Sequence, residues 1–83
     1  MPRVNYTQSL GHSPPQLGKI VFYFPKRTTD NTPTVLPAII HSIRDVELGI
    51  VDLTVFAPGG PIIKQDVQQA NGSVPERWSY YQT

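Results

Sequence analysis

The chain contains no cysteine. That excludes disulfide staples, thiolate metal ligands and thiol catalysis. It is poor in charge: Asp, Glu, Lys and Arg make up 16% of the residues, against about a quarter in average domains. Seven cations and six acids leave a formal net charge of +1. A general electrostatic clamp on duplex nucleic acid is therefore not expected, because neutralising phosphates requires clustered cations. Long apolar runs are missing as well. The densest segments, 20–24 and 50–56, the latter interrupted by Asp52 and Thr54, fall well short of the roughly 18 residues that span a bilayer. The opening residues lack the apolar centre of a signal peptide, so the cytoplasm of the producing cell is the expected location. Proline, by contrast, is abundant, with 9 residues beside 6 glycines, and that density works against long helices. Hydrophobic residues at 39% and aromatics at 10% are too many for a wholly disordered chain.

With 83 residues there is room for one domain. A chain of this size buries only about 60–65% of its unfolded surface. Disulfides are absent, and His12, His41 and the scattered carboxylates do not have the spacing of a structural zinc site. Association is the remaining stabilising device, so a homo-oligomer is expected.

Residues 1–17 are polar, proline-rich and aperiodic, and read as an irregular N-terminal arm that either frays or anchors on a neighbour through Tyr6 and Leu10. Residues 18–83 read as a small barrel. Segment 19–24 places Ile20, Phe22 and Phe24 on one face and Val21 and Tyr23 on the other. Both faces are apolar, which calls for cover on both sides. A polar loop over 26–34 follows, with the composition of a mobile segment. Segment 38–46 reads as a strand with Ile39, His41 and Ile43 on one face and Ile40 and Ser42 on the other. A helix over 38–48 also fits a 3.6-residue period, but β-branched density between Pro37 and Gly49 favours the strand. Asp45–Gly49 then turns the chain into 50–56, where Val51, Leu53 and Val55 form the core face. The glycines of 57–61 permit a tight turn. Segment 62–67 sets Ile63, Gln65 and Val67 against Ile62, Lys64 and Asp66, and 78–81 supplies a last aromatic strand. The expected fold is all-β: a five-stranded SH3-like or OB-like barrel.

Catalytic signatures are absent. Neither Ser13 beside His12 nor Ser42 beside His41 has a nucleophile-elbow context. The Ala57–Pro61 stretch is not a phosphate-binding loop, since it lacks the Gly-Lys-Ser/Thr ending and a following helix. Asp45, Asp52 and Asp66 read as turn and wet-face residues rather than metal ligands. No enzyme activity, metal or cofactor is expected.

Charge is unevenly distributed. Residues 1–29 carry Arg3, Lys19, Lys26 and Arg27 and no acid, for +4, whereas residues 30–83 carry three cations and six acids, for −3. Such a bipolar molecule suits head-to-tail association. It equally suits an anion site, with Lys26 and Arg27 at a strand end and Arg77 beside Trp78 as phosphate grips. Tyr23, Phe56, Trp78 and Tyr80 are the candidates for stacking on a base, with His41 and Asn71 as hydrogen-bonding groups. Each has a plainer alternative: Trp78 as core, His41 as an interface or core residue, and the cations as surface.

The order of segments resembles that of very small proteins of tailed-phage genomes. The shared pattern is a glycine before an aromatic-bearing apolar strand, then Pro-Ala-Ile/Val-Ile/Val, Leu-Thr-Val-Phe, a Pro-Gly turn, a short strand and a terminal Trp-x-aromatic. Here these are Gly18 with Ile20–Phe24, Pro37–Ile40, Leu53–Phe56, Pro58-Gly59, Ile62–Val67 and Trp78-Ser79-Tyr80. The chain departs from the pattern at Tyr80, where Trp is commoner, and lacks the proline that follows that pair. The resemblance implies phage origin and residence in the host cytoplasm or in the virion. It also implies one of two roles: sequestering a nucleotide-type host immune signal at a subunit interface without catalysis, or serving as a structural or head-decoration protein that makes protein contacts only. Either way the expected partner is the chain itself, with a small nucleotide-like ligand in the first case, and no membrane.

Overall fold

The computed structural model describes residues 13–81. Five strands form, β1 (Ile20–Phe24), β2 (Leu36–Asp45), β3 (Ile50–Ala57), β4 (Gly60–Val67) and β5 (Arg77–Ser79). They make one antiparallel sheet in the order β4-β3-β2-β1-β5, curled into a half-barrel. The all-β class is as expected, and the curl is compatible with a small SH3-like or OB-like barrel. The helix that segment 38–48 also permitted does not form, because its residues up to Asp45 belong to β2, which pairs with β3.

Alternation dictates the inner face. Val21 and Tyr23 of β1 lie opposite Ala38 and Leu36 of β2, and Ile40 lies opposite Leu53 of β3. With Val51, Val55, Val67 and Trp78 they form one buried cluster. Full burial of each large apolar side chain stabilises by about 1.5–3 kcal/mol.

Strict alternation fails at three register shifts, one of them between Ile43 and Asp45 at the end of β2; the other two each move a side chain to the opposite face. In β2 the register shifts between Ile40 and Ser42. Ile43 therefore meets Val51 and packs on the core, instead of sharing a face with Ile39 and His41. In β4 Lys64 pairs with Leu53 but Val67 pairs with Val51, and Asp66 sits between them at φ 55°. Val67 thus joins Ile62 and Lys64 on the inner side, not Ile63 and Gln65. The last strand is also shorter than expected, ending at Ser79.

The barrel closes at one end only. Beyond β4, residues 68–70 run parallel to β5: Trp78 N–H donates to the Gln68 carbonyl at 3.2 Å, and Ala70 N–H donates to the Trp78 carbonyl at 2.8 Å. The other side of β5 pairs with β1, Trp78 opposite Tyr23. Gly49 anchors this closure. Its carbonyl accepts from Trp78 Nε1 at 2.9 Å and from Gln69 N–H at 3.0 Å. Its φ is +71°, and a Cβ there would lie 2.6 Å from Gln69 Cβ, so only glycine fits.

Segment 13–17, read as part of the arm, packs against the barrel. Gln69 Nε2 donates to the Ser13 carbonyl at 2.7 Å, the Tyr80 hydroxyl donates to the Pro14 carbonyl at 2.9 Å, and Pro15 is buried. The anchors Tyr6 and Leu10 lie outside the described residues. The loop after β1, expected to be mobile, is knotted around Thr32. The Thr32 hydroxyl accepts from Thr28 N–H and Thr29 N–H at 3.1 and 3.0 Å.

Candidate functional site

The cations singled out in the sequence gather at one end of the sheet. Phe24, the last residue of β1, pairs with Arg77, the first of β5. Lys26 and Arg27 leave from that same corner, and Glu76 N–H bonds to the Phe24 carbonyl at 2.6 Å. An open cleft of about 150 Å³ lies here, between the loop after β1 and the loop before β5. Phe24, Pro25, Pro33 and Pro75 supply its apolar walls, and Arg27, Thr34 and Ser73 its polar ones. Arg27 is engaged in its own loop, donating to the carbonyls of Thr32 at 3.3 Å and Asp30 at 3.2 Å. Lys26 and Asn71 are exposed and Arg77 is half-buried. Sites for drug-sized ligands measure roughly 300–1,000 Å³. This cleft is below that range, enough for a phosphate group but not for a whole nucleotide.

The four aromatics do not form one wall. Trp78 is fully buried and Tyr23 nearly so. An indole with no exposed area offers no face to a base, and the plainer alternative, Trp78 as core, is where the structure puts it. Tyr80 meets Trp78 edge-on, with ring centroids 5.2 Å apart, and its hydroxyl is tied to Pro14. Phe56 points to the opposite, outer face and is 43% exposed. Burial, and secondarily the negative charge of Glu76, pushes the Tyr23 phenol above its ordinary range. Burial also raises Tyr80, against an opposing hydrogen bond with the Gln16 backbone. His41 is exposed on the outer face, its Nδ1 3.0 Å from the Thr54 hydroxyl.

Asp52, read from the sequence as a wet-face residue, is 3% exposed. Its Oδ2 accepts from Arg44 Nε at 2.9 Å and Nη2 at 2.8 Å, and its Oδ1 accepts from Asp66 N–H at 3.0 Å. The carboxylate therefore occupies a backbone donor that the β4 bulge would otherwise leave unpaired. The Arg44 bond, then the Asp66 N–H, holds its pKa below the usual carboxylate range. An aspartate between Val51 and Leu53 in an apolar strand was the available signal, since a buried carboxylate needs a partner. Among the described residues no cluster of three or more His, Asp or Glu converges to hold a metal ion.

The second apolar face, for which the sequence called for cover, is the outer face of the sheet. Ile20, Ile39, Thr54 and Ile63 are successive register partners across β1, β2, β3 and β4, so they form one cross-strand row. Beside it, Phe22 pairs with Pro37 and Phe56 with Pro61. Ile20 is 66% exposed and Ile63 63%. The signal was the two-faced apolarity of β1, which is covered on the inner side and largely bare at Ile20.

Among the described residues no helix is long and apolar enough to cross a membrane. No family model matches the chain, and no curated protein or solved structure shows significant similarity to it.

Proposed function

We propose that this chain is a non-catalytic assembly protein that associates with copies of itself through the apolar surface its sheet leaves bare, in keeping with the structural role that its resemblance to small phage proteins implies. The observation that carries this reading is the outer-face row of Ile20, Ile39 and Ile63 with Phe22 and Phe56 alongside. Apolar side chains lying side by side across the sheet, exposed at Ile20, Phe56 and Ile63 and half-buried at Ile39 and Phe22, mark an interaction surface rather than scattered surface residues. Light scattering on the full chain tests it. The expected mass at micromolar concentration is a multiple of 9.3 kDa, and Ile63→Lys shifts it toward the monomer while melting like the parent at concentrations too low for association. A monomeric mass up to several hundred micromolar overturns it.

A second reading, capture of a small phosphorylated ligand where subunits meet, is favoured by the Phe24↔Arg77 pairing that brings Arg77 to the corner of Lys26 and Arg27. The binding groups there are the cations and the cleft wall, not Trp78. Melting against a panel of cyclic dinucleotides tests this reading: a saturating ligand at 100 times Kd adds about 2.7 kcal/mol, and Arg27→Ala with Arg77→Ala removes that gain. No shift with any of them overturns it.

A further inference from the structure

We propose that two copies join edge to edge through β4, continuing the sheet across a two-fold axis in which Ile63 meets Ile63 of the second copy. This rests on the self-association reading and names its geometry.

Three observations carry it. First, β4 ends the sheet, and among the described residues nothing pairs with its outer side. The backbone groups turned outward follow from the register. Ala57 and Gly60 close the two-residue turn at Pro58-Gly59, and the pair that closes such a turn is hydrogen-bonded. Alternation then directs Ile62 and Lys64 toward β3 and leaves Ile63 and Gln65 with N–H and C=O facing out. Pro61 also belongs to the outward set, and its missing N–H is one that β3 does not need.

Second, the guards present in the pairing window, Pro61 and Lys64, do not block this pairing. A lysine on an edge strand ordinarily repels a second copy. Lys64 is instead folded inward, with Nζ 5.9 Å from the centroid of the Tyr23 ring. The window from Pro61 to Gln65 holds no other charge. Two such edges therefore approach without like-charge repulsion, and Asp66, at the bulge with φ 55°, ends the window.

Third, the pairing with Ile63 at its centre satisfies the exposed backbone. The two Ile63 residues exchange N–H···O=C bonds in both directions, and each Gln65 N–H reaches the Pro61 carbonyl opposite, the one group that proline can still offer. In this register Lys64 faces Ile62 rather than another lysine. The row Ile20–Ile39–Thr54–Ile63 then runs on into its own mirror sequence, giving one continuous apolar face twice as wide, on which further pairs can pack. The contact is isologous, so it closes on itself as a dimer unit.

Absence of cysteine makes a direct test available. Ile63→Cys places two thiols on the same face of a hydrogen-bonded antiparallel pair, where Cα atoms are about 5.5 Å apart, inside the range a disulfide spans. Under mild oxidation the expected result is near-complete covalent dimer for Ile63→Cys, but not for Ile20→Cys or Phe56→Cys. Light scattering is expected to give even multiples of the subunit mass. Gln65→Pro, which removes an outward donor, is expected to weaken dimerisation at least tenfold, whereas Gln65→Ala does not. An assembly in which the thiol of the Ile63→Cys variant stays reduced while Gln65→Pro associates normally overturns the edge pairing and leaves self-association standing. A strictly monomeric chain overturns both.

Discussion

At the residue scale, Gly49 and Asp52 each resolve a backbone problem that no other side chain can. The Gly49 carbonyl receives both the Trp78 indole and the Gln69 amide, at a φ of +71° and with Gln69 Cβ where its own Cβ would be. Gly49→Ala is expected to cost roughly 1–3 kcal/mol from backbone strain alone, seen as a melting temperature lowered by about 4–8 °C per kcal/mol. An unchanged melt would show that the pin is dispensable. Asp52 has the opposite character, a charge kept buried because Arg44 and the Asp66 amide both need it. Its folded-state pKa is depressed, so its contribution is present above the unfolded value of about 3.9 and is lost as pH falls through the folded value. Acid titration of stability should therefore fall steeply below pH ~4 in the parent and less in Asp52→Asn. At neutral pH that variant should be weaker by about 1–3 kcal/mol, the usual loss when a charge-assisted hydrogen bond goes. Parallel acid profiles would sink this account. Tyr23 and Tyr80 act at the other end of the scale: with pKa values raised above the ordinary range, their contribution is present below pH ~10 and fades as pH rises through the folded values.

At the element scale, the seam formed by 68–70 and β5 holds the segment before β1 in place. Gln69 reaches the Ser13 carbonyl and Tyr80 the Pro14 carbonyl. Gln69→Ala is expected to cost about 1 kcal/mol and to speed limited proteolysis within 13–17, while cleavage elsewhere is unchanged. Protection that stays at parental level would place the anchoring elsewhere. The strands themselves were legible in the sequence wherever alternation ran unbroken. Val21 and Tyr23, and Val51, Leu53 and Val55, face inward as their spacing demands. Ile43 and Val67 were not legible, because a bulge adds one residue to the count and leaves no compositional mark at Ile40–Ser42. The same holds for the site. The sequence picked out Lys26, Arg27 and Arg77, which the β1–β5 pairing brings to one corner. It also grouped Phe56 with Trp78, but their side chains stand on opposite faces of the sheet, a relation that only register decides.

At the scale of the whole molecule, one sheet has two apolar sides and a curl that encloses only one of them. The inner side is completed by residues far apart in sequence, Trp78 against Tyr23 and Gly49. The outer side leaves Ile20 and Ile63 about two-thirds exposed, and the proposed self-association rests on that surface. A double variant, Ile20→Thr with Ile63→Thr, is expected to keep the parental melting temperature at low concentration, because neither side chain is in the buried cluster, while raising solubility and abolishing concentration-dependent association. A sharply lowered melt at low concentration would mean that the outer row stabilises the single chain.

The placement of Trp78 has a consequence for shortened forms of the protein. A chain that stops before β5 lacks the wedge between Tyr23 and Gln68–Ala70, so its meander has nothing to shut upon. Purified fragments ending just before Arg77 and just after Tyr81 should accordingly differ abruptly in resistance to protease.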